Sequence, residues 1–149
     1  MKPLIVGEAP GKGGDPTKPI EGRIGARLAD CCDLTMAEFL ATFDRVNLLQ
    51  VQPQDGGKGA TFNVQEARRV AYSMTQHSDW PGRLALILGK RAGAAFGFVQ
   101  VDYFQKMALY GAIVYVVPHP SGLNRWWNDP ENELQMMRFM RELIEGLHG

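Results

Sequence analysis

Residues 3–16 read "PLIVGEAPGKGGDP", and the fold turns on how this stretch is taken. Pro3 to Val6 is a short run without a polar side chain, the mark of a strand buried on both faces. It passes at once into a loop holding Gly7, Gly11, Gly13 and Gly14, with Glu8 and Asp15 beside them. The same order, an apolar strand, a turn, then a helical pattern, recurs along the chain. "RVNLLQV" (45–51), "RLALILG" (83–89) and "GAIVYVV" (111–117) read as further strands. Between and after them lie helical patterns. Residues 22–32 place Ile24, Leu28 and Cys31 on one face. Thr35 and Glu38 make a capping box for a short second helix. Asn63 caps a third, running to about His77, and "KRAGAAFG" is a fourth. Asp129 and Pro130 start the last helix, where Leu134, Met137, Met140, Ile144 and Leu147 recur at helical spacing as a core stripe. "QPQDGGKGAT" (52–61) and "PHPSGLNRWWNDP" (118–130) read as loops. Apolar strands alternating with helices predict an α/β fold: three α/β/α layers around a mostly parallel four-stranded sheet, in one domain spanning 1–149.

Composition narrows the function. Of 149 residues 45% are hydrophobic and 21% charged, as in globular chains. Lys plus Arg and Asp plus Glu are both 16, so no net charge draws the chain broadly to nucleic acid or acidic membranes. Cys31 and Cys32 are adjacent, with no CxxC or Cys/His cluster, which argues against a disulfide framework and a zinc site. A reducing cytoplasm is the expected setting. No apolar run approaches the ~20 residues of a membrane helix, and no signal-peptide pattern opens the chain.

In an open α/β sheet ligands sit at the carboxyl ends of the strands, which singles out residues 7–20, 47–62, 89–92 and 118–129. The first of these is not a phosphate cradle. Gly7 and Gly11 are too close for a P-loop, and Gly13 follows Lys12 where a hydroxyl is needed. A dinucleotide fingerprint fails at Ala9, and Pro10 and Pro16 oppose a helix there. Glu8 would repel a pyrophosphate. A low-bulk loop of Gly7, Ala9, Pro10 and Gly11 instead lets a flat ligand approach the backbone. Glu8 suits a water-activating base or an acceptor for a donor group; a solvent-facing Glu on a tight turn is the other reading. At the far end of the chain His119 lies between two prolines just past a strand, its backbone stiffened by both. Ser121 follows, then a short tip of Gly122, Leu123 and Asn124, then Arg125, Trp126 and Trp127. At least one tryptophan is expected to pack beneath the loop as core. Lys12, Lys18, Arg23, Lys58 and Arg125 fall on the same edge and could meet phosphates, solvated charge being the ordinary reading of each.

"GEAPG" (7–11) and "HPSGLN" (119–124) together resemble the two motifs of the uracil-DNA glycosylase superfamily. The resemblance is nearest to the branch that normally carries an iron–sulfur cluster. "PIEGRIGARL" (19–28) resembles that branch's P-F-x-G-R-x-G-x-x-L segment, "RVNLLQVQP" its Asn-bearing strand, and "LGKRA" its LG-x-x-A. The likeness runs in order from residue 4 to residue 125. It implies an enzyme that flips uracil or a modified pyrimidine out of DNA and hydrolyses its N-glycosidic bond, a step of base excision repair. By resemblance Glu8 and His119 are catalytic, Glu8 handling the attacking water and His119 donating to O2 of the departing base. Asn47 reads the pyrimidine edge, and Gly7, Ala9, Pro10, Gly11 and Ile20 line the pocket. Ser121, Gly122, Leu123, Asn124 and Arg125 meet DNA, Leu123 filling the gap left by the flipped base. The resemblance implies no metal, no cofactor and no active-site lysine, hence hydrolysis without strand cleavage, by a monomer.

The sequence departs from the branch in three places. Cys31 and Cys32 do not fit the cluster positions, so no cluster is expected. Ile20 stands where the branch has a stacking phenylalanine. Gly14 stands where a further glutamate is common. Two alternatives follow: a catalytically inactive DNA- or protein-binding member of the fold, or an enzyme acting on a free or hypermodified pyrimidine nucleoside or nucleotide.

Overall fold

The apolar run after Pro3 forms β1 (Leu4–Gly7), buried along its whole length. Around it the computed structural model describes residues 1–11, 14–50, 62–121 and 124–148. The chain continues through α1 (Arg23–Cys32), α2 (Met36–Thr42), β2 (Asp44–Asn47), α3 (Val64–Thr75), β3 (Leu84–Leu88) and α4 (Lys90–Ala95). β4 (Met107–Leu109), β5 (Ala112–Val117), a 3-10 turn (Arg125–Asn128) and α5 (Pro130–His148) complete it. The strands form one sheet in the order β2-β1-β3-β5-β4. β2, β1, β3 and β5 are parallel; β4 runs antiparallel to β5.

Alternate residues of the central strands feed two separate cores. Val6, Ala85, Ile87, Val114 and Val116 face α3 and α4 through Ala67, Ala71, Ala92 and Phe96. Ile5, Leu86, Leu88 and Val117 face α1, α2 and α5 through Leu28, Phe39, Met136 and Met140. Covering both faces makes the three α/β/α layers. Each fully buried Leu, Ile or Met contributes about 1.5–3 kcal/mol by leaving water.

Most helix ends behave as the sequence predicts. The Thr35 hydroxyl accepts from the Glu38 amide at 3.1 Å while the Glu38 carboxylate accepts from the Thr35 amide at 3.0 Å. Asn63 caps α3 through the Glu66 amide, and the Asp129 carboxylate accepts from the Glu131 amide at the start of α5.

Four expectations need correction. The sheet has five strands, not four. β4 is only three residues long and joins β5 through Tyr110 and Gly111, both at positive φ (47° and 84°), as a two-residue hairpin turn requires. Tyr-Gly is not one of the dipeptides that announce such a turn, and three residues are too few for a pattern. β2 ends at Asn47, short of the expected 45–51. Leu48 and Leu49 are apolar because they plug into the core, while their amides bond the carbonyls of Gly7 and Glu8 at 3.0 and 2.9 Å. The stripe of α5 is rotated: Met136 and Met140 are buried, and Leu134 and Leu147 are exposed. The segment after Asn124 is a 3-10 turn rather than open loop, its first free amide being taken by the Asn124 side chain at 3.2 Å. The expected loop 52–61 lies outside the described residues.

Candidate active site

Four parallel strands end on one edge, and each delivers one polar group. In sheet order these are Asn47 at the end of β2, Glu8 just after β1, Arg91 after β3 and His119 after β5. β2 lies on one side of β1 and β3 on the other, so the chain order reverses at β1, where α/β sheets open a crevice. A cavity of about 720 Å³ lies at this edge, lined by Gly7, Glu8, Pro10, Ile20, Asn47 and His119 among others. That volume is within the range of small-molecule sites.

Glu8 and His119 are mostly buried, with side chains 14% and 19% exposed. Glu8 Oε1 lies 3.8 Å from His119 Nε2, near enough for the carboxylate charge to act on the imidazole and too far for a hydrogen bond. Arg91 holds Glu8 from the other side, its Nε donating to Oε2 at 2.8 Å and its Nη2 to Oε1 at 3.0 Å. Two parallel charge-assisted bonds fix the plane of the carboxylate as well as its place. Burial pushes the His119 imidazole below its ordinary value; the Glu8 charge opposes that shift and the Arg91 charge adds to it.

Asn47 is 6% exposed and lines the cavity. Its carbonyl accepts from the Gln50 side chain at 3.2 Å, and its side-chain amide has no hydrogen-bond partner among the described residues. A buried amide left in this way costs about 1–3 kcal/mol unless a ligand or water meets it. Gly7 makes the amide's position possible, since a Cβ there would collide with Asn47 Oδ1 and press on the Ile20 side chain. Ile20 is 8% exposed and sits at φ 60°, a conformation that β-branched residues avoid. Arg45 anchors the segment before it, donating to the carbonyls of Pro19 at 3.2 Å, Leu40 at 3.2 Å and Phe43 at 2.9 Å. Strain at Ile20 is thus held by a part-buried guanidinium that ties this segment to α2 and β2.

His119 is held by its backbone. Its carbonyl accepts from Asn124 Nδ2 at 2.9 Å and from Trp127 Nε1 at 2.9 Å. Trp127 is buried, with the Arg27 guanidinium 4.2 Å from its ring centre, and so packs as core beneath the loop as expected. Gly89, at φ 90°, lies directly under the imidazole, and a Cβ there would stand 3.1 Å from His119 Cβ. Gly89→Ala is therefore expected to cost about 1–3 kcal/mol and to displace His119. A urea midpoint lowered together with altered His119 imidazole resonances checks it.

The lowered His119 value also sets a pH dependence of stability. The unfolded chain takes up this proton near 6.5, whereas the folded chain resists it to lower pH. Between those two values the unfolded state binds more protons, so stability falls as pH drops through the window and is fully kept above it. Urea midpoints measured from pH 8 downward (roughly the range over which histidine charges) are expected to decline less in His119→Asn than in the parent. Identical declines would remove His119 as a source.

Of the site residues that the sequence singles out, Glu8, Gly7, Ala9, Pro10, Gly11, Ile20, Asn47, His119 and Ser121 all line the one cavity. Lys18 and Arg23 line it too, both exposed. Asn124 lies beyond Ser121 with both ends of its amide bound to the backbone, and Arg125 is exposed. Gly122, Leu123, Lys12, Gly13 and Lys58 lie outside the described residues. Asp15 turns back on its own loop, its carboxylate accepting from the Thr17 amide at 2.8 Å and hydroxyl at 2.6 Å. Cys31 and Cys32 are buried in α1, and burial pushes their thiols up to about 11 and about 12. The residue that sequence reasoning passed over is Arg91. A basic pair, Lys90-Arg91, directly after a strand on the ligand edge was the available signal.

Among the described residues no group of three or more His, Cys, Asp or Glu side chains is placed to hold a metal ion. No described helix is long and apolar enough to cross a membrane. No protein-family model matches the chain, and no curated protein matches it either.

Proposed function

We propose that this chain is a monofunctional DNA glycosylase of the uracil-DNA glycosylase kind, releasing uracil or a modified pyrimidine by hydrolysis. The observation that carries the reading is the meeting in one cavity at the strand ends of Glu8, His119 and the buried Asn47 amide, which has no partner among the described residues. An extruded pyrimidine offers what each lacks. Its O4/N3 edge matches the acceptor and donor of the Asn47 amide, and its O2 gathers charge as the glycosidic bond breaks. His119 Nε2–H donates to that oxygen. Glu8 orients the water that adds to C1′ of the sugar and offsets the positive charge developing there. The water's hydroxyl ends on C1′ and its proton passes by way of Glu8 to solvent, while the base leaves as an anion and takes up a proton from solvent.

Lys18 and Arg23, which line this cavity, and the exposed Arg125 would meet the phosphates of a bound strand. Ile20 covers the pocket without an aromatic ring, which forgoes about 1–3 kcal/mol of stacking. The same change leaves room beside the base, so a 5-substituted pyrimidine fits the reading as well as uracil. We read the protein as a monomer acting on DNA in the cytoplasm, where Cys31 and Cys32 stay reduced.

Oligonucleotides bearing uracil, 5-hydroxymethyluracil or bulkier thymine derivatives, single- and double-stranded, test the proposal. Release of free base and an alkali-labile abasic site are expected for at least one. No release from any of them with enzyme in excess over DNA overturns it.

A further inference from the structure

Arg91 does more than balance a charge. Its fork occupies both oxygens of Glu8, and the oxygen that accepts from Nη2 at 3.0 Å is the one that stops 3.8 Å from His119 Nε2. A carboxylate and an imidazole this close, both mostly buried, are about 1 Å short of a charge-assisted hydrogen bond. Two bonds to Arg91 compete against that closure. Arg91 is itself held in place: it is the second residue of α4, and its guanidinium lies 4.9 Å from the Phe62 ring centre. A planar fork resting on a ring is pre-organised in a way that a lysine's point charge is not.

We infer that Arg91 is a positioning residue of this site, a guanidinium fork that holds the Glu8 carboxylate off His119 so that Nε2 stays open to the cavity. The consequence for catalysis rests on the glycosylase reading; the separation of the two side chains does not. Without the fork Glu8 swings onto the imidazole, the two form an ion pair, and the donor meant for a ligand is consumed within the protein. The charged groups acting on His119 among the described residues are Glu8, from the loop after β1, and Arg91, from α4. Both must therefore be varied to separate Arg91's own charge from its hold on Glu8.

The test is an NMR titration of the imidazole resonances in the parent, Arg91→Ala, Arg91→Lys, Glu8→Gln and the Arg91→Ala/Glu8→Gln double variant. His119→Asn assigns the signal among the three histidines of the chain. The Arg91 side chain is 60% exposed, so its removal leaves the core intact. The His119 midpoint is expected to rise in Arg91→Ala, and to rise in Arg91→Lys as well, because charge without the fork does not hold Glu8. With Glu8→Gln in place, Arg91→Ala is expected to raise it much less. An unchanged midpoint in Arg91→Ala, or an equal rise in both backgrounds, overturns the inference. Where base release is measured, Arg91→Ala is expected to lose about ten- to a hundredfold near neutral pH, the order of cost of a misplaced reacting group. Its acid limb should also move to higher pH, and an unmoved limb counts against the fork. A titration that behaves as expected in a protein releasing no base upholds the positioning of Glu8 and removes the glycosylase reading alone.

Discussion

His119→Ala is expected to slow base release by about 10²–10³-fold, equivalent to roughly 2.7–4 kcal/mol of transition-state stabilisation, with DNA binding little changed. The loss follows from where charge appears. In the intact nucleotide O2 is a neutral carbonyl, and a hydrogen bond to it is worth little more than one to water. As the glycosidic bond breaks, that oxygen takes up negative charge inside a cavity with low exposure, where a fixed donor is strongest. The substitution is a clean one. The loop's anchors, Asn124 Nδ2 and Trp127 Nε1, bind the His119 carbonyl, which alanine keeps. The imidazole can thus be removed while the His119 backbone keeps its two anchors. Single-turnover release of base, beside a separate binding measurement, checks the prediction. Equal rates in the parent and His119→Ala would leave the imidazole without a role in the chemistry.

The same contrast between side chain and backbone explains what the sequence disclosed. Strands buried on both faces are legible because their apolar runs have no polar interruption, and β1, β3 and β5 fall where those runs do. The carboxyl edge of such a sheet follows from the chain direction, which is how Glu8, Asn47 and His119 could be placed together although they lie far apart along the chain. β4 was hidden because its three residues carry no period and its partner, not its composition, makes it a strand. Leu48 and Leu49 lengthened β2 on paper because burial in a core and burial in a strand leave the same mark in composition. Arg91 was hidden for another reason. An arginine after a strand is ordinary surface charge until the fold brings β1 beside β3 and sets it against Glu8. The strain at Ile20 is likewise a tertiary fact: its φ of 60° follows a Pro19 carbonyl anchored by Arg45, far along the chain, and nothing in "PIEGR" announces it.

Glu8→Gln is expected to lower the rate of base release by about 10²–10⁴-fold, the span typical of a positioned group that handles a proton in the transition state. Glutamine keeps the length and planarity of the side chain, so it tests charge rather than shape. The amide retains one acceptor oxygen for Arg91 and turns an NH₂ toward the other nitrogen, which loosens the fork without emptying the site. Two consequences can be read separately. Loss of the negative charge removes what offsets the cationic sugar and aligns the water, and this appears in the rate of bond cleavage. It also removes the group that holds the His119 value up, so the imidazole midpoint moves lower still. A lower His119 midpoint with an undiminished rate would make Glu8 an electrostatic neighbour of His119 and leave water activation to another group. Glu8→Asp sharpens the distinction. It keeps the charge but withdraws the carboxylate by one methylene, out of reach of the two Arg91 bonds at 2.8 and 3.0 Å. If charge alone mattered, aspartate would restore the rate. A rate that stays low in aspartate, with the His119 midpoint near that of the parent, assigns the function of Glu8 to where its oxygens are held.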